Sequence, residues 1–310
     1  MSVAFIFPGQ GSQAGGMLHK LDDDPIVGQT LDEVSSALHC DVRNLDSGVA
    51  LESTVSAQIA LFAAGVASAR SLIKRGISAA AVSGLSIGAF AAAVIAGVLS
   101  LEDGVELVRL RAERMTALYP SGYGLSAIVG LTEAQVSTIV RAVTTSEAPV
   151  FLGNINAPRQ VVIAGANVGM DRALDEARRQ GARKAERLHV AVLSHCPLLQ
   201  PVADALKARI SSMTLMTPRM PYVANVNARV MRTAEKVAWD LVNNIAHGVR
   251  WYDATMVLQE LGCNLFLEMP PRHVLSDLAN QNISGVRAIP VEAGALPRIL
   301  RLAGEEGAGS

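Results

Sequence analysis

A serine set between two glycines, Gly84-Leu85-Ser86-Ile87-Gly88, is the clearest chemical feature of this chain. The pattern is G-x-S-x-G, with an apolar run at 79–83 before it and an Ala-rich stretch at 89–96 after it. That order predicts a nucleophile elbow, a tight strand-to-helix turn whose flanking glycines let backbones approach where a Cβ would clash. A serine so presented stands above the sheet. The following helix N-terminus and the Ile87 N–H then face an oxygen that becomes negative during acyl transfer or hydrolysis.

A serine hydroxyl needs a base, and six histidines are available: His19, His39, His189, His195, His247 and His273. Spacing does not choose among them. His195 is the best placed on local grounds, because Leu193-Ser-His-Cys-Pro197 closes an apolar run just before a proline-started helix. No Asp or Glu stands out as a third member, so no triad is defined. Arg111, in Leu110-Arg-Ala-Glu-Arg114, lies on the helix after the elbow helix, where composition alone makes it a solvated charge. Gly9-Gln-Gly-Ser-Gln13 offers backbone N–H groups to an anion, yet it is neither a Walker A loop nor GxGxxG.

The elements that must hold these residues alternate between strand and helix. A strand at 3–7 runs into the glycine loop; a buried helix at 54–72, a strand at 79–83, a helix at 89–96 and an amphipathic helix at 101–118 follow. Between 124 and 191 the pattern becomes βαββαβ, with strands at 125–129, 150–155, 161–164 and 188–192 and helices at 132–143 and 168–180. This is the ferredoxin-like order. Helices at 197–211, 234–246 and 251–261 and strands at 222–225 and 264–268 complete the chain. The expected fold is α/β: a large α/β-hydrolase-like domain (1–123 and 192–302) with a parallel sheet and nucleophile elbow, an inserted ferredoxin-like subdomain (124–191), and a flexible tail (303–310).

Composition narrows the class. The 310 residues suffice for one large domain with an insert, and half are hydrophobic while only 4% are aromatic, which favours α/β packing over a β-sandwich. Twenty-seven basic against 28 acidic residues leave a net charge of −1, with no global field to steer the chain toward nucleic acid or an anionic membrane. Cys40, Cys196 and Cys263 are too few and too far apart for a disulfide framework or a zinc site, so a cytoplasmic location without a metal is expected. The uncharged segment 76–101 is long enough to span a bilayer, but its glycines and serines favour a buried strand, turn and helix.

Taken in order, Phe7-Pro-Gly-Gln-Gly-Ser-Gln13, the Ser86 elbow, Leu110-Arg-Ala112, Asn154-Ile-Asn-Ala-Pro158 with Val161-Val-Ile-Ala-Gly165, and Ser194-His-Cys196 resemble malonyl-CoA:acyl-carrier-protein transacylases. Ser86-Ile-Gly-Ala-Phe90, Tyr119-Pro-Ser-Gly-Tyr-Gly124 and Glu268-Met-Pro-Pro271 look most like the epsilon subunit of malonate decarboxylase. The resemblance implies that Ser86 is acylated, that His195 is general base and then acid, and that the Gln10 and Ile87 N–H groups form an oxyanion hole. It implies that Arg111 clamps the malonyl carboxylate. It further implies a backbone carbonyl at Arg250, within the segment 246–251, that orients the imidazole, and a contact of Lys184 with the CoA phosphates. The implied partners are malonyl-CoA and a carrier protein bearing a phosphopantetheine-type thiol, with no tightly bound cofactor. Arg183, Lys184 and Arg187 offer a docking patch for an acidic carrier.

Three departures stand out. Leu85 replaces the family's usual His, Ala89 a frequent Glu, and His247-Gly-Val-Arg-Trp251 the common Asn-Pro-Val-Gln-Trp. The alternatives are a malonyl transacylase of fatty-acid or polyketide synthesis, a serine acyl hydrolase, and a non-catalytic carrier-binding subunit with a vestigial elbow.

Overall fold

The computed structural model describes residues 2–188 and 192–304. The chain opens with β1 (Ser2–Phe7), the amphipathic α1 (Pro25–Leu38) and the long α2 (Thr54–Lys74). Next come β2 (Ala81–Gly84), α3 (Gly88–Ile95) and α4 (Leu101–Leu118). A second unit contains β3 (Tyr123–Val129), α5 (Glu133–Val143), β4 (Val150–Ala157), β5 (Gln160–Ala166), α6 (Asn167–Arg179) and β6 (Lys184–Arg187). The chain then returns through α7 (Gln200–Ile210), β7 (Tyr222–Val223), β8 (Val230–Met231) and α8 (Ala234–Asn243). It ends with α9 (Trp251–Glu260), β9 (Cys263–Glu268), α10 (Val274–Asn282), β10 (Arg287–Pro290) and α11 (Leu296–Gly304).

The large sheet has the order β10-β9-β1-β2-β7-β8 and is parallel except for the β7–β8 pair. Its central strand is apolar on both faces because both are covered. Phe5 and Phe7 enter the core layer that contains α2 and α3, while Ala4 and Ile6 enter the opposite layer with Trp251, Leu258 and Leu275 of α9 and α10. Alternation along one strand thus feeds two cores. α2 is long and apolar enough to cross a membrane, yet most of it is buried against α1, α3 and α4. The uncharged segment 76–101 forms β2, the turn and α3, as expected.

The smaller sheet, β4-β5-β3-β6, is antiparallel throughout, the ferredoxin-like arrangement expected. Ile128, Val161 and Ile163 form its core with α5 and α6. Its last strand corrects the sequence expectation: it is the charged segment Lys184–Arg187, and not the apolar run at 188–192, part of which lies outside the described residues. β6 is an edge strand, and Lys184 and Glu186 face water while Ala185 packs inward. Charge on an edge strand blocks pairing with other chains, which is why a polar sequence is found there. Residues 303 and 304, expected to belong to the tail, are in α11; 305–310 lie outside the described residues.

The segment between α8 and α9 ties the smaller sheet to the rest of the molecule. Ile155 N–H donates to the Val249 carbonyl at 2.8 Å and Val249 N–H to the Gly153 carbonyl at 2.7 Å. The Arg250 guanidinium adds an ion pair with Glu133 of α5 at 2.9 Å and another with Asp253.

The C-terminal ends of β1 and β2 carry the loop 8–13 and the elbow side by side, the edge where parallel α/β sheets place their sites. Close approach explains the glycines. A Cβ on Gly84 would sit 2.1 Å from the Gly88 carbonyl carbon and oxygen, and one on Gly88 would sit 2.3 Å from the Phe7 oxygen. Backbone is on the far side in both cases, so neither contact relaxes by rotating a side chain. Gly88→Ala is therefore expected to lower stability by about 3 kcal/mol or more, read as the shift in a urea-unfolding midpoint at constant slope.

Candidate active site

Ser86 has φ 57°, in the left-handed region, and so does His195 with φ 61°. Non-glycine residues are uncommon there, and such conformations persist only where the surroundings hold them. The two side chains meet: His195 Nε2 lies 2.7 Å from Ser86 Oγ. His195 Nδ1 lies 2.6 Å from the Asn244 carbonyl oxygen. A carbonyl only accepts, so Nδ1 carries the proton and Nε2 presents its lone pair to the serine O–H. The imidazole is thus held in the tautomer that a general base requires.

The orienting carbonyl belongs to Asn244, one residue past α8, and not to Arg250. The Arg250 segment instead runs toward β4 of the small sheet, and its own N–H donates to the Asn225 carbonyl at 2.8 Å. Of the other histidines, His19 binds Asp46, His247 the Asn243 carbonyl and His273 Asp277. His39 closes the C-terminus of α1, and His189 lies outside the described residues.

Arg111 is not a solvated charge. It is 1% exposed, and its Nη2 donates to Ser86 Oγ at 3.0 Å while Nη1 donates to Gln58 Oε1 at 2.7 Å. Nε has no partner among the described residues. A buried guanidinium with no carboxylate against it is costly, and burial pushes its pKa down to about 9, leaving it cationic at neutral pH. Gln58, on α2, went unnoticed in the sequence because a glutamine inside an Ala-rich helix carries no motif. It links the site together, donating also to Gln10 Oε1 at 3.1 Å.

Gln10 and Ile87 flank the serine, one from the loop after β1 and the other at the start of α3. Glycines at 9 and 88 bring these segments together; a Cβ on Gly9 would lie 2.9 Å from the Leu85 carbonyl oxygen. A cavity of about 330 Å³ opens over Ser86, Arg111 and His195. Leu85, Met115, Leu125, Val192 and Val274 make much of its wall apolar, while Asn154 and Asn156 of β4 add amides whose oxygens have no partner among the described residues. Lys184 is not part of it. Its ammonium is exposed on β6, 2.6 Å from Glu186, and Arg187 is bound to Asp171 and Asn167, so two of the three basic side chains of the cluster are paired with acidic neighbours.

Burial, and secondarily the Arg111 charge, push the His195 pKa down to about 3 from an ordinary 6.5. The folded value is the lower one, so protons favour the unfolded chain. This contribution to stability is complete above pH 6.5 and is lost as the pH falls toward 3. The same shift keeps the base unprotonated in mildly acidic solution. Labelling of Ser86 by a serine-directed reagent is expected to persist well below pH 6.5, and its acid limb to move to higher pH in Arg111→Ala, where one lowering influence is removed.

A covalent acyl transfer is what this arrangement can perform, and the chain's relatives agree. Residues 4–298 match the family described as acyl transferase domain. The malonyl CoA-acyl carrier protein transacylase of Salmonella typhimurium is 35% identical over 293 residues, covering 92% of this chain and 94% of that protein. The structure of the malonyl CoA-acyl carrier protein transacylase from Coxiella burnetii superposes with a TM-score of 0.93 at 35% identity, covering 98% of each chain. A malonyl-transacylase in complex with a type II polyketide-synthase acyl-carrier protein gives 0.90 at 34% identity, covering 95% and 97%. The chain belongs to the acyl transferase family, among the malonyl CoA-acyl carrier protein transacylases.

Proposed function

We propose that this acyltransferase moves malonyl from coenzyme A to the phosphopantetheine-type thiol of a carrier protein through an ester on Ser86. Ser86 Oγ attacks the thioester carbonyl as its proton passes to His195 Nε2. The carbonyl oxygen takes the charge between the Gln10 and Ile87 N–H groups. The C–S bond breaks, and the imidazolium returns the proton to the departing thiolate. The carrier thiol then reverses these steps on the malonyl ester. No resident metal or cofactor is required.

The observation that carries this reading is the buried Arg111 guanidinium at Ser86 Oγ, with no carboxylate against it among the described residues. The free carboxylate of malonyl supplies the missing anion, and a planar guanidinium receives it with two parallel N–H bonds. The unpartnered Asn154 and Asn156 amides suit the two amides of a pantetheine arm, and the apolar wall disfavours water as acceptor.

The narrower proposal is that the carrier is the malonate decarboxylase carrier subunit, which the segments Ser86–Phe90, Tyr119–Gly124 and Glu268–Pro271 favour. The experiment is intact-mass spectrometry after brief exposure to malonyl-CoA, followed by purified carriers. A malonyl adduct on Ser86 that discharges to a carrier thiol supports transacylation, and preference between fatty-acid and malonate decarboxylase carriers decides the pathway. Steady release of free malonate without carrier would make the protein a hydrolase.

A further inference from the structure

The histidine has no carboxylate partner, yet a buried carboxylate stands nearby and serves the serine. Asn225 follows β7 and is 1% exposed. Its Oδ1 accepts the Ser86 N–H at 2.9 Å and its Nδ2 donates to the Gly84 carbonyl at 2.9 Å, so one amide brackets Leu85 and grips the elbow on both sides. Asp240 of α8, fully buried, fixes the backbone that carries that amide, with only a long contact of 3.4 Å from Asn225 Nδ2 to Asp240 Oδ2. Its Oδ1 accepts the N–H groups of Asn225 and Val226 at 2.9 and 3.0 Å, and its Oδ2 accepts the Tyr222 hydroxyl at 2.8 Å. The next turn of the same helix reaches the base: Asn244 N–H donates to the Asp240 carbonyl at 2.9 Å, and the Asn244 carbonyl holds His195.

We propose that Asn225 and Asp240 are positioning residues for the nucleophile, and that one turn of α8 sets the register between Ser86 and His195. The inference rests on Ser86 being the nucleophile. A serine in the left-handed region is strained and relaxes unless its neighbours hold it. Here the peptide N–H of the strained residue is itself the gripped atom. Every donor to the Asp240 carboxylate is neutral, so the geometry of its acceptors matters more than its charge.

Two rates and one constant test this: labelling of Ser86 by a fluorophosphonate, single-turnover acylation by malonyl-CoA, and the KM for malonyl-CoA. In folded Asn225→Ala, both Ser86 rates are expected to fall about 100-fold, the scale of a misplaced reacting group, with KM little changed because Arg111 is untouched. Asn225→Asp keeps the acceptor and loses the donor, so an intermediate loss is expected. Asp240→Asn, which preserves the acceptor toward Asn225, should restore most of the rate that Asp240→Ala loses. Equal labelling of wild type and folded Asn225→Ala would overturn the positioning role alone. No labelling of Ser86 in the wild type would overturn the nucleophile reading beneath it. Should Asn225→Ala not fold, wild-type reactivity in folded Asn225→Asp would overturn the proposal equally well.

Discussion

Ser86→Ala is expected to carry no acyl group after exposure to malonyl-CoA and to transfer malonyl about 10⁴- to 10⁶-fold more slowly than the wild type, the loss seen when a hydroxyl nucleophile is deleted. Intact mass reads the first and a carrier-loading assay the second. His195→Ala should cost nearly as much, because an un-ionised hydroxyl at Oγ is a weak nucleophile once Nε2, 2.7 Å away, is gone. Combining the two changes should add little to either, since the pair works as a unit. An adduct of unchanged yield in Ser86→Ala would move the acylated residue elsewhere and undo the site as drawn.

The second large effect belongs to Arg111→Ala. Removing one member of a buried charge pair formed with the substrate costs about 2–5 kcal/mol, roughly 30- to 5,000-fold in malonyl transfer. Acetyl transfer should be unchanged or improved, because acetyl leaves the guanidinium without an anion. The sign of the difference is what matters: equal loss with malonyl and acetyl thioesters would assign Arg111 to holding Ser86, to which it donates at 3.0 Å, and not to selecting a dicarboxylic acyl group. Free malonate offers an independent check. It should raise the Tm of the wild type and leave Arg111→Ala unmoved, since ligand stabilisation follows affinity for the folded state.

Motifs with strict backbone requirements were legible in the sequence. The G-x-S-x-G turn needs glycines for reasons visible in any chain, and the elbow lies where the pattern placed it, between β2 and α3. The ferredoxin-like order could be followed through its alternating runs until β6, where an exposed charged edge hides the strand signal. The strand expected at 222–225 is present as β7, but the two-residue β8 is too short to show a period, and α1, α10, β10 and α11 were not expected from the sequence. The contacts of the site were harder still. Arg111 has the composition of a surface residue, and only tertiary structure lowers it into the core. Gln58, Asn225, Asp240 and Asn244 act over long sequence separations; Asn225 reaches Ser86 across 139 residues. Orientation of the imidazole was assigned to Arg250 because a family pattern names a segment, whereas the carbonyl that accepts the bond depends on where α8 ends.

The cleft is lined from both sheets, but unequally. Ser86, His195, Arg111 and the carbonyl of Asn244 all come from elements packed on the parallel sheet. The antiparallel sheet contributes Leu125, Asn154, Asn156 and Val162, none of which has an ionisable side chain. In evolutionary terms, this separates what must be preserved from what is free to drift. A lineage can remodel the second sheet to admit a different acyl chain or thiol arm while inheriting the reactive centre intact, so new specificities are reachable by small steps that never pass through an inactive ancestor.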